Sequence, residues 1–130
     1  MVDNIKILKR NILTTRDNLN ILINSDLLNK IDKLSTLIHT SLKNKKKLLF
    51  CGNGGSASEA SHIAAEFVGR YLKERREQPA ISLTTDTSII TAIGNDYSFK
   101  EIFSKQIKAI GNRGDILIAL STSGKSENII

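Results

Sequence analysis

The spacing of hydrophobic residues changes near residue 47. Before that point, apolar side chains recur at intervals of three and four, which predicts two amphipathic helices. Each helix presents a continuous apolar stripe that must be buried. A second subunit could cover these stripes. The second helix is expected to begin after Ser25, a suitable capping residue. The first stripe contains Ile5, Leu8, Ile12, Thr15, Leu19 and Leu22, and the second contains Leu27, Ile31, Leu34, Ile38 and Leu42.

Beyond residue 47, short apolar runs alternate with segments that have helical character. A Ser-x-x-Glu capping box at Ser56 predicts a helix that continues to about Tyr71. Asp86 is expected to cap a further helix that Gly94 stops. This alternation predicts an α/β fold with a central parallel sheet. The runs predicted as buried strands are Leu48–Cys51, Ala80–Leu83 and Ile116–Leu120.

Two domains are expected from this pattern. Residues 1–46 form an N-terminal helical pair that serves oligomerisation, and residues 47–130 form the α/β domain. The sequence ends after three predicted strands and the start of a helix, which would be an unusual end for an α/β domain. We therefore expect the C-terminal part of the fold to be missing from this chain.

Basic residues are concentrated in the N-terminal helices. Residues 1–47 carry ten Lys or Arg against four Asp, whereas residues 48–130 carry nine basic and nine acidic side chains. No aromatic residue is interleaved with these lysines, so a solvated helix surface is favoured over a nucleic-acid interface.

The sequence also limits the compartment in which the protein works. Cys51 is the single cysteine of the chain, which excludes an intrachain disulfide and a Cys-rich zinc cluster. No apolar run approaches the roughly 18 residues that span a bilayer. The N-terminus lacks the apolar core of a signal peptide. A cytoplasmic protein without membrane contact is expected.

A glycine-rich loop, Gly52–Ser56, follows the first predicted strand. Free N–H groups at a helix N-terminus favour an anion or a sugar hydroxyl, and glycine lets a ligand approach the backbone. The same loop also fits the dinucleotide-binding fingerprint, with Ala57 in its final position. That fingerprint requires an acid about 20 residues on, and the first acid after the second strand is Asp86. The dinucleotide interpretation is therefore weak.

A second polar loop follows the third predicted strand. Its hydroxyl groups surround Gly124, and together with backbone amides they could bind one phosphate. Its end is similar to a nucleotide P-loop, but Ala119 stands where that motif requires its first glycine. A purely structural turn is the alternative. The hydroxyl-bearing residues are Ser121, Thr122, Ser123 and Ser126.

The helix after the glycine loop carries a polar face formed by Glu59, His62, Glu66 and Arg70. His62 and Glu66 are four residues apart and could converge on a divalent metal, or Glu66 could act as a general base. The alternative is a solvated stripe with an ion pair between Glu66 and Arg70.

Three motifs in order give the chain a resemblance to a known family. Cys51–Phe67 (CGNGGSASEASHIAAEF), Gly94-Asn95-Asp96 and Ser121–Ser126 (STSGKS) resemble bacterial phosphoheptose isomerases. These proteins have a SIS (sugar isomerase) domain preceded by N-terminal helices. The resemblance covers essentially the whole chain. It implies a SIS-type three-layer sandwich with a central parallel sheet.

The resemblance also implies an activity. The family interconverts sedoheptulose 7-phosphate and D-glycero-D-manno-heptose 7-phosphate through an enediol, for lipopolysaccharide or capsule heptose. A homotetramer with shared sites is implied, and no organic cofactor is required. The implied substrate contacts are Asn53, Gly54, Gly55, Ser56, Glu66, Asn95, Asp96, Ser121, Thr122, Ser123 and Ser126.

The resemblance assigns Glu66 two roles, as the catalytic base and, with His62, as a ligand of one zinc ion per subunit. The remaining zinc ligands, a glutamine and a histidine, are expected beyond residue 130, and that histidine is also the second proton-transfer residue.

Two other functions remain open. A SIS-type binding protein, such as the DnaA-initiator-associating protein, shares the fold without the reaction, although it has no need of both His62 and Glu66. An isomerase of the same type could also act on a different sugar phosphate.

Overall fold

The computed structural model describes residues 3–130 and contains helices that flank a small sheet. The chain divides into two compact units, of which the first ends at Leu37 and the second spans Ile38–Ile130. In chain order the elements are α1 (Asn4–Ile23), α2 (Leu27–Lys43), β1 (Leu48–Gly52), α3 (Gly55–Val68), β2 (Ala80–Ser82), α4 (Thr87–Asp96), a 3₁₀ turn (Phe99–Glu101), α5 (Ile102–Ile110) and β3 (Ile116–Leu120).

The first unit contains α1 and the start of α2. Asp3 caps α1 by accepting a hydrogen bond from the backbone N–H of Lys6. No residue of α1 is buried, and its apolar stripe lies open, with Ile5, Leu8 and Ile12 between 60% and 68% exposed. The predicted stripe is therefore present but uncovered within this unit. None of the helices in residues 3–130 is both long enough and apolar enough to cross a bilayer.

The three strands of the second unit form one parallel sheet in the order β2-β1-β3. Leu48 pairs with Ala80 on one side and with Ile116 on the other, and the longer pairing ends at Gly52 and Leu120. Because the strands are parallel, the loops that follow them meet at one edge of the sheet. That edge is where parallel sheets bind their ligands.

Helices cover both faces of the sheet, which gives three layers. Side chains of β1 alternate between the faces. Leu48 and Phe50 pack with α3, and Leu49 and Cys51 pack with α5. Since both faces are covered, β1 is a continuous apolar run with every residue buried. The chain thus has the α/β architecture expected from its sequence.

The amino-terminal ends of β1 and β3 are joined by Asp115. Its carboxylate accepts hydrogen bonds from the backbone N–H groups of Lys47, at 3.0 Å, and Asn112, at 2.7 Å, and it forms an ion pair with the Lys47 ammonium group. Burial raises the pKa of Asp115, but these hydrogen bonds and the Lys47 charge outweigh it and lower the pKa to about 2.

Several local predictions were confirmed. The strand at Ile116–Leu120 has the predicted bounds, and Asp86 caps α4 with a 2.9 Å hydrogen bond from the N–H of Ile89. The hydroxyl of Ser25 accepts a bond from the N–H of Leu27, as expected of a capping residue, although α2 begins at Leu27, one residue later than predicted.

Other local predictions were wrong. Ser56 does not cap α3; the N-cap is Gly54, and Ser56 is buried in the first turn. Helix α3 ends at Val68, so Arg70 lies beyond it and pairs with Glu74 instead of Glu66. Helix α4 continues through Gly94 to Asp96, because a single glycine weakens a helix without ending it.

Candidate functional site

A small open pocket lies at the carboxyl edge of the sheet, between the loops that follow β1 and β3. The space between the loops, counted together with the open solvent at its mouth, is about 200 Å³. Five of its residues were predicted as ligand-binding residues from the sequence, and Leu120 was not, because an apolar strand end carries no signal for a site. The pocket is lined by Asn53, Ser56, Leu120, Ser121, Thr122 and Ser126.

Two of the three glycines of the first loop, Gly52 and Gly54, are required by the chain's own backbone. A Cβ on Gly52 would lie 2.5 Å from the carbonyl oxygen of Ser56, so only glycine lets α3 begin this close to β1. Gly54 has a φ of +56°, a conformation that favours glycine. The sequence-based explanation, which assigned all three glycines to close approach by a ligand, was therefore incomplete.

The first loop nevertheless offers donors to a ligand. The N–H groups of Ser56, Ala57 and Ser58 bond to carbonyl groups within the turn. Within residues 3–130, the N–H groups of Gly54 and Gly55 have no such bond. These two donors stand at the positive end of the α3 dipole, which favours an anion.

The second loop is arranged around Gly124, whose φ is +63°. The Ser121 hydroxyl accepts a hydrogen bond from the N–H of Gly124, at 3.0 Å, and the Ser123 hydroxyl accepts one from Lys125, at 3.2 Å. Both hydroxyls keep their own proton for donation. A set of hydroxyl donors beside two free amides has the chemistry to bind a phosphate group.

Asn53 and Asn128 connect the two loops. Each side-chain amide donates to the other's carbonyl oxygen, and both bonds measure 2.8 Å. Each amide group retains one N–H and one oxygen lone pair. Sequence reasoning missed Asn128, because it lies outside the motif that ends at Ser126, and only the fold reveals its partner.

His62 and Glu66 form a second polar cluster on α3. The Nε2 atom of His62 lies 3.5 Å from Oε1 of Glu66. The His62 side chain is largely exposed, whereas the Oε2 atom of Glu66 is buried without a hydrogen-bond partner in the described residues. An orphaned carboxylate oxygen beside an imidazole is a suitable start for a metal site. Within residues 3–130, however, no group of three or more His, Cys, Asp or Glu could hold a metal ion.

The pocket and the His62–Glu66 pair are separate. Glu66 follows Ser56 by ten residues, which corresponds to about 15 Å along the helix axis. Asn95 and Asp96 are exposed at the end of α4, where their side chains bond to each other at 2.8 Å, and they do not line the pocket. Gly54, Gly55 and Ser123 lie in the two loops but outside the pocket lining.

Cys51, directly before the glycine loop, belongs to the core. It is 1% exposed, and burial raises the pKa of its thiol. A buried neutral thiol is a poor nucleophile, so Cys51 contributes packing to this site.

Comparisons with known proteins identify the family to which this chain belongs. Residues 14–130 match the SIS domain, and the chain therefore belongs to the SIS-domain family. Among its curated relatives is a phosphoheptose isomerase of Nitratidesulfovibrio vulgaris (strain Hildenborough), 68% identical over 84 residues, covering 65% of this chain and 40% of the relative. Another, from a Nitratiruptor species, is 59% identical over 90 residues, covering 69% of this chain and 48% of the relative.

Solved structures of the same kind superpose well. A phosphoheptose isomerase from Neisseria gonorrhoeae gives a TM-score of 0.78 at 42% identity, covering 95% of this chain and 61% of that structure. A phosphoheptose isomerase from Francisella tularensis gives a TM-score of 0.84 at 36% identity, and the match covers 99% of this chain and 65% of that structure. The chain spans about half the length of the curated relatives it matches.

Proposed function

We propose that the protein containing this chain is a cytoplasmic aldose–ketose isomerase that converts sedoheptulose 7-phosphate to D-glycero-D-manno-heptose 7-phosphate for lipopolysaccharide or capsule heptose. The observation that carries the proposal is the hydroxyl-lined pocket at the carboxyl edge of the sheet. Curated relatives with the name phosphoheptose isomerase support the choice of reaction. A free, buried cysteine suits a reducing compartment.

The pocket binds the phosphate group of the substrate in this proposal. Ser121, Thr122 and Ser126 donate hydrogen bonds from their hydroxyl groups to the phosphate oxygens. The N–H groups of Gly54 and Gly55, which lie in the first loop between the lining residues Asn53 and Ser56, add backbone donors. These hydrogen bonds to the phosphate are remote from the reacting carbons. Their binding energy therefore fixes the position of the sugar and raises the effective concentration of the catalytic groups.

Glu66 moves the proton between C1 and C2. Isomerisation removes a proton from one carbon, passes through an enediol and returns a proton to the neighbouring carbon. Of the two carboxylate oxygens, Oε1 faces the imidazole of His62, and Oε2 has no partner among the described residues. We assign the proton transfer to the Glu66 carboxylate, whose side chain is partly exposed.

The metal site also belongs to the proposal. His62 and Glu66 would hold one zinc ion per subunit, together with ligands from outside this chain. When bound, zinc would act as a Lewis acid towards the carbonyl oxygen of the substrate. The chain's own contribution is to keep His62 Nε2 and the Glu66 carboxylate on one face of α3, four residues apart.

The separation of the two clusters suggests that subunits share sites. About 15 Å along α3 separates the pocket from Glu66. We propose a homotetramer in which the phosphate bound by one subunit presents its reacting carbons to Glu66 of another. Helix α1 supplies apolar surface for such association, because eight of the large hydrophobic side chains of the helix are at least 37% exposed.

A panel of sugar phosphates tests the assignment. The protein is expected to turn over sedoheptulose 7-phosphate faster than pentose and hexose phosphates, to lose that turnover on chelation and to regain it with zinc. Preference for another sugar phosphate would replace the substrate but keep the reaction. Tight binding of sugar phosphates without any turnover would favour a SIS-type binding protein. Turnover that is indifferent to chelation would refute the zinc requirement.

A further inference from the structure

The last turn of α3, which carries Glu66, is held by a side chain from the following segment. The Arg75 guanidinium group donates one hydrogen bond to the carbonyl oxygen of Phe67, at 2.9 Å, and another to that of Glu66 itself. The last four carbonyl groups of a helix have no partner within the helix. A planar guanidinium group with several N–H donors can satisfy two of them at once.

The side chain of Glu66 has little else to fix it. Its Oε1 atom lies 3.5 Å from the exposed imidazole of His62, and its Oε2 atom has no partner within residues 3–130. The position of the carboxylate therefore depends on the backbone of its own turn. Helix ends fray unless their carbonyl groups are capped. The N–H of Gly69 bonds to the carbonyl of Ala65, and among the described residues it is Arg75 that bonds to the carbonyl of Glu66.

We propose that Arg75 is a positioning residue for the proton transfer by Glu66. This inference rests on the proposed isomerase function, in which Glu66 is the base. Arg75 acts on the backbone, so it affects where the carboxylate lies relative to the reacting carbons. It makes no contact with the phosphate pocket, so binding of the phosphate group should not depend on it.

Arg75→Gln is the informative variant, and Arg76→Gln is its matched control. Both remove one positive charge from the same exposed segment, but the Arg76 side chain makes no hydrogen bond or ion pair within residues 3–130. With sedoheptulose 7-phosphate, Arg75→Gln should lower kcat about tenfold or more while KM changes less than about twofold, because small misplacements of a reacting group are costly. Arg76→Gln should behave as wild type.

Arg75→Lys separates charge from geometry. It keeps the positive charge at the end of α3 but loses the planar group that reaches two carbonyls, so its kcat should lie between those of Arg75→Gln and wild type. A readout independent of activity is amide hydrogen exchange at Gln78, whose N–H bonds to the carbonyl of Phe67 at 3.0 Å. Exchange there should be faster in Arg75→Gln than in Arg76→Gln.

The outcomes distinguish the two proposals. The measurements use the full-length protein, and an inactive full-length wild type refutes the isomerase function, and with it any catalytic role of Arg75. An active wild type with equal kcat values for Arg75→Gln and Arg76→Gln refutes the positioning role alone. A lower melting temperature with unchanged kcat would reduce Arg75 to a structural cap. Unchanged exchange at Gln78 would show that Arg75 does not hold the turn.

Discussion

Asn53 and Asn128 are 75 residues apart in the sequence, yet their side-chain amides exchange two hydrogen bonds of 2.8 Å. One stands in the loop after β1 and the other in the segment after β3. Since β1 and β3 are parallel neighbours, the amide pair closes the edge of the sheet at which the pocket lies. The two loops are thereby held together before any ligand binds, and such preorganisation lowers the entropic cost of binding.

Removing Asn128 should therefore weaken phosphate binding. In Asn128→Ala, two hydrogen bonds are lost, each worth about 1 kcal/mol, and the Kd for sedoheptulose 7-phosphate should rise about tenfold or more. Titration calorimetry with this compound and with inorganic phosphate measures the effect. Asn44→Ala, which removes an exposed amide remote from the pocket, is the control and should bind as wild type. Equal affinities for both variants would show that the amide pair plays no part in binding.

Gly52 and Gly55 should differ sharply in their tolerance of a methyl group. A Cβ on Gly52 would lie 2.5 Å from the backbone oxygen of Ser56, whereas a Cβ on Gly55 has open space around it. Gly52→Ala should lower the free energy of unfolding by about 2 kcal/mol or more, as overpacking does. Gly55→Ala should leave it unchanged or slightly higher, since alanine favours a helix. Urea unfolding measures both, and equal stabilities would contradict the close contact between β1 and α3.

The ion pair between Lys47 and Asp115 predicts a pH dependence of stability. The pKa of Asp115 is lowered from 3.8 to about 2 in the folded protein. Its unfolded form therefore binds more protons between these values, so the stabilisation is complete above about pH 4 and is lost as the pH falls towards 2. Asp115→Asn should lower the free energy of unfolding by about 2 kcal/mol at pH 7 and by little near pH 2.

Urea unfolding of the wild type and Asp115→Asn at several pH values provides the measurement. The difference in free energy of unfolding between the two proteins should shrink only below about pH 4. This is the pH range between the pKa values of the unfolded and the folded carboxyl group. A difference that is constant from pH 7 to pH 2 would mean that the carboxylate charge contributes nothing.

Shared sites predict that two inactive variants restore activity when mixed. Glu66→Gln removes the base, and Ser121→Ala combined with Thr122→Val removes two pocket hydroxyls. If a site takes its pocket from one subunit and Glu66 from another, subunit exchange produces some sites with both parts intact. Activity should then rise after co-refolding of the two variants. If each site lies within one subunit, every site keeps a defect and the mixture stays inactive.

Much of the fold could be predicted because the evidence for it is local. The run Leu48–Cys51 is apolar throughout, which is typical of a strand covered on both faces, and the structure buries all of it. Helix boundaries were less accurate. Ser56 fits a capping box by sequence, but the tight turn at Gly52 lets the helix start earlier, at Gly55, and buries Ser56. Local pattern cannot register a contact between a strand end and a helix start.

The sequence predicted the two loops of the candidate site, but it did not predict the side chains that hold the parts of the site in place. Glycine and hydroxyl residues after parallel strands identify the pocket, because topology brings strand ends together. The partners Asn128 and Arg75 carry no motif, and their roles follow only from contacts made across the fold. The separation of Glu66 from the pocket is likewise a property of helix length. The roles assigned to Asn95 and Asp96 stay predictions, since both lie exposed outside the pocket.

The rate of sedoheptulose 7-phosphate isomerisation by the wild type, Glu66→Gln and Glu59→Gln tests the proposed chemistry most directly. Glu59 lies on the same face of α3, is exposed, and its side chain forms no bond within residues 3–130, so its substitution controls for the lost charge. We expect Glu66→Gln to lose essentially all turnover while it still binds the substrate, and Glu59→Gln to remain active. Turnover by Glu66→Gln at the wild-type rate would contradict the assignment of Glu66 as the base.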